Sequence, residues 1–354
     1  MLVAFNLLLV FPLIYISIYI SMNRKKRHIL LLFVGTLILL FGCNKFETTE
    51  GFREQQRYRK LEFIPKELAK QPSIVIMGDG FTSADFNTYR AAAKQLEKYL
   101  FDPEEGVSPY NKTPFCDYFN IFTIFLNSQE RGIGHDKPKN TIFRCYYVDQ
   151  TNIVFDDINF FGGRKAPNPF SVAKQFVPGI DLNNTVVVIL VNDKQTGYTT
   201  GFQNEAPYGN WISIISLCEN SEEFKRLVLR EVGGKAFAHL AQEDDNYTQE
   251  RISLIKEMYD QYGFYSNIDF TDDPNEVKWK HFLSFKSIYP NLSIYSIGNC
   301  AYSPDLNNVM NRNGAFQYNA PSREAIIKRI YQIHGEGWEY TNSTFRYYFV
   351  NNQI

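Results

Sequence analysis

Apolar runs separated by polar turns set the first outline of the chain. Ile74-Val75-Ile76-Met77 is continuously apolar and is stopped by Gly78-Asp79-Gly80, the pattern of a buried strand closed by a tight turn. Thr82 or Ser83 can cap a helix over residues 84–100, whose Phe86, Tyr89, Ala93, Leu96 and Leu100 share one face. Residues 118–125 predict a second strand. Residues 185–191, Thr-Val-Val-Val-Ile-Leu-Val, predict the strongest one, because an unbroken β-branched run suits a strand covered on both faces. Residues 211–216 predict another strand, at an edge of the sheet. Ser221, with Glu222 and Glu223 in the first turn, opens a helix that runs through Leu240. Pro321-Ser322 introduces a last amphipathic helix over residues 323–333.

Between these elements, residues 130–181 are rich in Gly, Pro, Asn and Asp and predict an irregular excursion with a short helix near 171–176. Residues 250–287 are mixed and polar, and no internal repeat is visible. Strands alternating with helices predict an α/β fold, a sheet with helices packed on it.

The N-terminus has a different character. Met1 to Ser21 is almost wholly apolar, then Arg24-Lys25-Lys26-Arg27 precedes a second apolar run that ends Leu40-Phe41-Gly42-Cys43. Read from Met22, this is a basic region, an apolar core and a small residue at a cut site, the layout of an export signal. The second run is short for a bilayer span, which needs about 20 residues. Leu40-Phe41-Gly42-Cys43 resembles a lipobox, in which cleavage precedes a cysteine that is then acylated. The expected organisation is a signal segment over 1–42 with its start at Met22, a polar tether over 43–72 carrying at most one short helix or strand, and a folded domain over 73–354. The body then lies in the cell envelope as an outer-membrane lipoprotein, periplasmic or surface-exposed, held to the membrane through Cys43. Two membrane helices flanking a basic hairpin are the other reading of the same stretch.

Composition narrows the function. Of 354 residues, 44% are hydrophobic and 16% aromatic, which excludes a disordered chain. Net charge is −1, and Arg24, Lys25, Lys26 and Arg27 are the only charges before Cys43. The remainder is mildly acidic without a basic tract, which argues against a nucleic-acid partner. Five cysteines are too few for a disulfide scaffold, and the sequence leaves the pairing of Cys116, Cys145, Cys218 and Cys300 open. Gly78-Asp79-Gly80 lacks the third glycine or the Gly-Lys-Ser ending of a phosphate loop, so it reads as a turn, with Asp79 available for a cap or a supporting hydrogen bond.

The informative stretch is Leu229-Arg230-Glu231-Val232-Gly233-Gly234-Lys235-Ala236-Phe237-Ala238-His239-Leu240-Ala241-Gln242-Glu243. Two adjacent glycines inside a helix cost about 1 kcal/mol each relative to Ala, and a helix keeps them for close packing, a bulge or a site. Here the chain resembles the IgA peptidase family of zinc metallopeptidases, in its Bacteroidetes lipoprotein form. That family's helix reads His-Glu-x-Gly-(Gly)-His-x-Phe-Gly-x-Leu-x-Asp-Glu-Tyr. Ile76-Met77-Gly78-Asp79-Gly80-Phe81-Thr82, Asp117-Tyr118-Phe119-Asn120-Ile121-Phe122, Ser128-Gln129-Glu130-Arg131-Gly132-Ile133, Val188-Ile189-Leu190-Val191-Asn192 and Met310-Asn311-Arg312-Asn313 followed by Asn319-Ala320-Pro321-Ser322-Arg323 are similar to further family segments. The resemblance implies a zincin-like α/β domain with a mixed, largely parallel sheet, a zinc cofactor, and peptide-bond hydrolysis by metal-bound water with a Glu base.

The resemblance also marks departures. Arg230 stands at the first zinc-ligand position and Glu231 at the base. Lys235 takes the second ligand position if both glycines are counted, Gly234 if they are not, and Gln242 takes the third. Glu243 and Met310 match residues beside the family's site. Arg cannot lose its proton at neutral pH, whereas zinc takes imidazole, thiolate or carboxylate ligands. Without metal, water keeps a pKa near 15.7 rather than about 7, and Glu231 has no nucleophile to activate. The expectation is therefore a pseudopeptidase without bound zinc that binds protein or glycan at the cell surface. Arg230 and Lys235 then pair with Glu231 or Glu243 in the metal's place. An active peptidase with unconventional ligands, drawing on His135 or His281, and a structural accessory lipoprotein are the competing readings. His239 reads as a packing residue, and Trp211, Trp279 and Trp338 can stack on sugars only if they are exposed.

Overall fold

In a computed structural model, the structure describes residues 70–156, 165–202, 211–298, 300–335, 337–352 and 354, with the backbone of a strand at 52–56. The export signal, the basic cluster and Cys43 lie outside the described residues. Among the described residues no helix is long and apolar enough to cross a membrane.

The strands of the main sheet are β1 (Phe52–Gln56), β2 (Ser73–Asp79), β3 (Asn120–Phe125), and, after a small separate sheet of β4 (Gly134–His135), β5 (Cys145–Tyr147) and β6 (Ile153–Phe155), β7 (Thr185–Val191), β8 (Tyr198–Phe202) and β9 (Trp211–Ser216). Their order is β1-β3-β2-β7-β9-β8. The four central strands run parallel, and the two outer ones, β1 and β8, are antiparallel to their neighbours. This is the mixed, largely parallel α/β sheet expected from the alternation of elements.

Side-chain alternation along β2, β7 and β9 feeds two separate cores. Ile74, Ile76, Val186, Val188, Leu190, Trp211 and Ile215 face one core together with residues of α1 (Phe86–Phe101) and the 221–237 helix. Val75, Met77, Val187, Ile189, Val191, Ile212 and Ile214 face the other, against α2 (Pro169–Phe176). A strand buried on both faces needs an apolar residue at every position, which is why residues 185–191 carry so clear a signal.

Several expectations change. Residues 211–216 form an interior strand, because β8 lies outside them and is the edge. Tyr198-Thr199-Thr200-Gly201 is short and half-buried, with a glycine in it, so its pattern is weak. The excursion over 130–181 contains the three-strand sheet as well as the short helix. The polar stretch after residue 249 holds the helix α4, Gln249–Tyr262. The last helix, α5, runs Ala320–His334 with Asn319 as its cap. The stretch read as a tether contributes β1, which pairs with β3.

Candidate functional site

The helix carrying the site is α3, Ser221–Leu227, continued by Val228–Phe237 wound as a π-helix. Asn220 caps it, its side-chain oxygen accepting the Glu222 N–H at 2.8 Å; Ser221, the expected cap, is already helical. The π-winding opens the backbone to i→i+5 bonding, and the Ala238 N–H reaches the Gly233 carbonyl at 3.3 Å. Tyrosines take up carbonyls along the turn. Tyr110 Oη donates to the Gly233 carbonyl at 2.6 Å and Tyr318 Oη to that of Leu229. The same tyrosine explains the first glycine, since a Cβ on Gly233 would stand 2.5 Å from Tyr318 Oη. A Cβ on Gly234 would stand 2.5 Å from Met310 Sδ. The glycine pair is thus kept for close approach, and Met310 packs beneath the site.

The winding also selects the register. In a backbone bonded i→i+5, residues five apart come round to one face, as residues four apart do on an α-helix. Arg230 and Lys235 are five apart and share this face, whereas Gly234 faces Met310. Both cations reach the same carboxylate oxygen. Arg230 Nε donates to Glu231 Oε1 at 2.8 Å, and Lys235 Nζ lies 3.0 Å from it. Lys235 Nζ also donates to Gln242 Oε1 at 2.8 Å. The structure therefore brings Arg230, Glu231, Lys235 and Gln242 together.

Two residues from the sheet edge complete the cluster. Thr200 Oγ1 donates to Glu231 Oε2 at 2.8 Å. The Tyr198 ring lies 4.8 Å from the Arg230 guanidinium and 5.5 Å from Lys235 Nζ, contacts worth about 0.5–2 kcal/mol each according to how desolvated they are. Both belong to β8, so sequence reading missed them; a Tyr and a Thr thirty residues upstream carry no local sign of this contact. Arg230 and Glu231 are almost wholly buried, with side chains 1% and 0% exposed, while Lys235 is 19% exposed. Burial opposes the charge on Glu231, yet Lys235 and then Arg230 hold its carboxyl below the usual carboxylate range. Burial likewise opposes the charge on Arg230, and Glu231 holds it above its ordinary value.

Glu243 does not join this ion cluster. It is fully buried and accepts from Asn267 and Asn319 at Oε1 (3.0 and 3.1 Å) and from Ser303 and Asn308 at Oε2 (2.6 and 2.7 Å). Every one of these partners is neutral. Burial pushes its carboxyl up to about 7 against those four hydrogen bonds. When it is protonated, Ser303 can accept its hydrogen and turn its own hydroxyl to the Asp305 carbonyl, 3.0 Å away. Glu243 ties together loops that follow the helix, and its backbone N–H reaches the Met310 carbonyl at 3.0 Å.

Asp79 stands elsewhere. It accepts the Phe143 and Cys145 N–H groups, each at 2.9 Å, and the Thr141 hydroxyl at 2.8 Å. It pins the 130–156 excursion to the end of β2 and touches none of the cluster. Of the histidines, His239 packs between Trp211 and Phe264, His281 pairs with Glu324, and His135 stacks on Tyr147. None of them reaches Glu231. Trp211 and Trp279 are buried, and Trp338 is half-buried. Among the described residues Cys145, Cys218 and Cys300 form no disulfide.

These residues do not fit a zinc ion. Two cations stand at the first two ligand positions, and the carboxamide of Gln242 at the third is spent on Lys235. Glu231 is already neutralised. Among the described residues no group of three or more His, Cys, Asp or Glu side chains is arranged to hold a metal.

The cluster makes Glu231 structural. Glu231→Gln leaves two cations facing each other with only the solvent edge of Lys235 to relieve them. Breaking a buried pair in this way costs about 3–5 kcal/mol. Denaturant unfolding of the full chain in detergent should show a loss of that size, whereas a loss below about 1 kcal/mol would mean the pair behaves as an exposed one.

Comparison with known proteins agrees with the resemblance read from the helix. A search of curated proteins finds no match to this chain. The family model described as IgA Peptidase M64 matches residues 66–292, which include every strand of the main sheet except β1, the π-wound helix and Glu243. The chain belongs to the IgA peptidase M64 family.

Proposed function

We propose that this chain is a non-hydrolytic member of its family: a cell-envelope lipoprotein that binds a host or surface polypeptide beside the catalytic helix without cutting it. The observation that carries the reading is the convergence of Arg230 and Lys235 on one oxygen of Glu231. A general base works when its proton affinity is matched to the proton it must take. Glu231 is a weakened base, and no group beside it lowers the pKa of water toward 7, as metal coordination does.

The sheet edge supports the choice of a polypeptide. β8 is an edge strand, and Thr200 links it directly to Glu231. On its outer side the Tyr198 N–H donates to the Thr151 carbonyl at 2.8 Å, and among the described residues no strand pairs along Thr199 to Gly201 there. An extended segment can add to such an edge by main-chain hydrogen bonds. Lys235 and Gln242 are half-buried at the rim of the same surface and offer polar contacts to it.

The anchor rests on the sequence of residues 22–43. Protein made from Met22 should fractionate with membranes, and Cys43→Ala should release it. Soluble wild-type protein, or membrane retention of the substituted form, would contradict the lipoprotein reading.

Restoring the ligands tests the lost-metal reading. Arg230→His, Lys235→His and Gln242→Asp together remove two positive charges and add one negative, which favours a dication on Coulomb grounds. The full chain carrying all three should bind zinc at about one per chain, since three protein ligands suffice for an open site. Each single change should bind none. A folded triple variant that takes up no zinc would show that the π-wound register does not present these positions to one point.

A further inference from the structure

A second site lies away from the catalytic helix. A cavity of about 630 Å³ opens between the C-terminal end of α4, the exposed face of α5 and the loop carrying Trp338 and Tyr340. The volume falls in the range of small-molecule sites, about 300–1,000 Å³. None of Arg230, Glu231, Lys235, Gln242, Glu243 or Met310 lines it. Its α5 and Trp338 walls lie beyond the residues matched by the family model.

Several polar groups on its wall have hydrogen-bonding capacity left over. His239 is 3% exposed, lines the cavity, and its ring packs between Trp211 and Phe264. Its backbone is held in the left-handed region at φ 54°, which fixes the ring between Trp211 and Phe264. Burial, with the Arg329 charge adding to it, keeps the ring well below its ordinary pKa, so it presents one donor and one acceptor. Ser266 also lines the cavity, and its buried hydroxyl has no partner. A buried polar group left unmatched costs about 1–3 kcal/mol, so these groups favour an occupant with hydroxyls over an apolar one.

The charges narrow the choice further. Lys278 Nζ donates only to the Tyr265 carbonyl, at 3.1 Å, and lies 4.1 Å from the centre of the Tyr259 ring, with no ion pair. Asp260 and Asp269 are near enough to favour its charge, while burial lowers it to about 8, so the ammonium is mostly charged at neutral pH. The other cations on the wall have partners, and the wall also carries the carboxylate of Asp260. Glu324 holds His281, Lys328 and the Tyr340 hydroxyl, and Arg329 donates to the Asn183 carbonyl and Gln332. One cation with spare donors suits one carboxylate and is too little for a polyphosphate. Trp338 is the one tryptophan of three on the cavity wall; His334 stacks on its ring at 4.0 Å and Tyr118 and Tyr331 pack against it, so it adds a partly covered apolar edge.

We infer that this cavity binds an acidic sugar, its carboxylate on Lys278, its hydroxyls on His239 and Ser266, and its ring beside Trp338. The site is separate from the polypeptide surface proposed above, and either assignment can fail without the other.

Isothermal titration of the full chain in detergent, with glucuronate, N-acetylneuraminate and neutral glucose, tests it. At least one acidic sugar should bind about tenfold more tightly than glucose, the effect of one charge-assisted hydrogen bond. Lys278→Met should reduce that sugar to the affinity of glucose, while Lys278→Arg keeps the preference. Equal binding of acidic and neutral sugars would overturn the inference, as would no binding of either acidic sugar. Folded Lys278→Met that binds like the wild type would overturn it too.

Discussion

Glu231 is a carboxylate with no exposure, and the site is organised around keeping it charged. An ion in that position survives only with partners at hydrogen-bond distance. Arg230 alone would supply one, but a second cation is needed to answer the remaining field, and it must come from the same helix face. Lys235 stands four residues after Glu231, the spacing at which side chains meet along a helix, and the π-turn carries it. That turn in turn requires residues without Cβ at Gly233 and Gly234, where Tyr318 and Met310 press in. Tyr110 and Tyr318 then take carbonyls along the widened helix. The buried charge, the glycine pair and residues from more than a hundred positions away in sequence, such as Tyr110, thus meet at one turn of the helix.

The parallel sheet gives this helix a fixed floor. Two cores covering β2, β7 and β9 leave those strands no freedom to shift register, since a slip of one residue would exchange the faces. The antiparallel edge is different: among the described residues no strand pairs along Thr199 to Gly201 on the outer side of β8, and β8 meets Glu231 through Thr200. A rigid interior with an open edge beside the site is an arrangement suited to holding an extended chain. Glu243 serves the opposite purpose. Its four neutral donors are Asn267, Ser303 at the end of a short strand, Asn308 just after it and the α5 cap Asn319, so it fixes the segment behind the helix without contributing charge to the front.

The legible parts of the sequence were those where the physics is local. Continuous β-branched runs gave β2 and β7, and polar caps followed by apolar periodicity gave α1, α3 and α5 to within a few residues, while α4 lay unread in a mixed polar stretch. The pairing of Arg230 and Lys235 with a carboxylate was readable from the spacing of charges along one helix. The π-winding was not, since it depends on Tyr110, Tyr318 and Met310 packing from far along the chain. β8 was hidden by its half-buried, glycine-containing pattern, and with it Tyr198 and Thr200. Asp79 looked like a residue near the site and proved to be the anchor of the 130–156 excursion. The cavity beside Lys278 assembles from three distant segments, none of which has a motif.

The central claim is that a pair of cations fills the place of a metal. Zinc titration of the unmodified full chain at neutral pH, followed by mass spectrometry of the buffer-exchanged protein, addresses it most directly. The ion cluster predicts no retained zinc and no change in thermal unfolding on adding zinc or a chelator. Retention of about one zinc per chain, with a chelator-sensitive rise in unfolding temperature, would mean that a metal site forms after all, and would contradict the account.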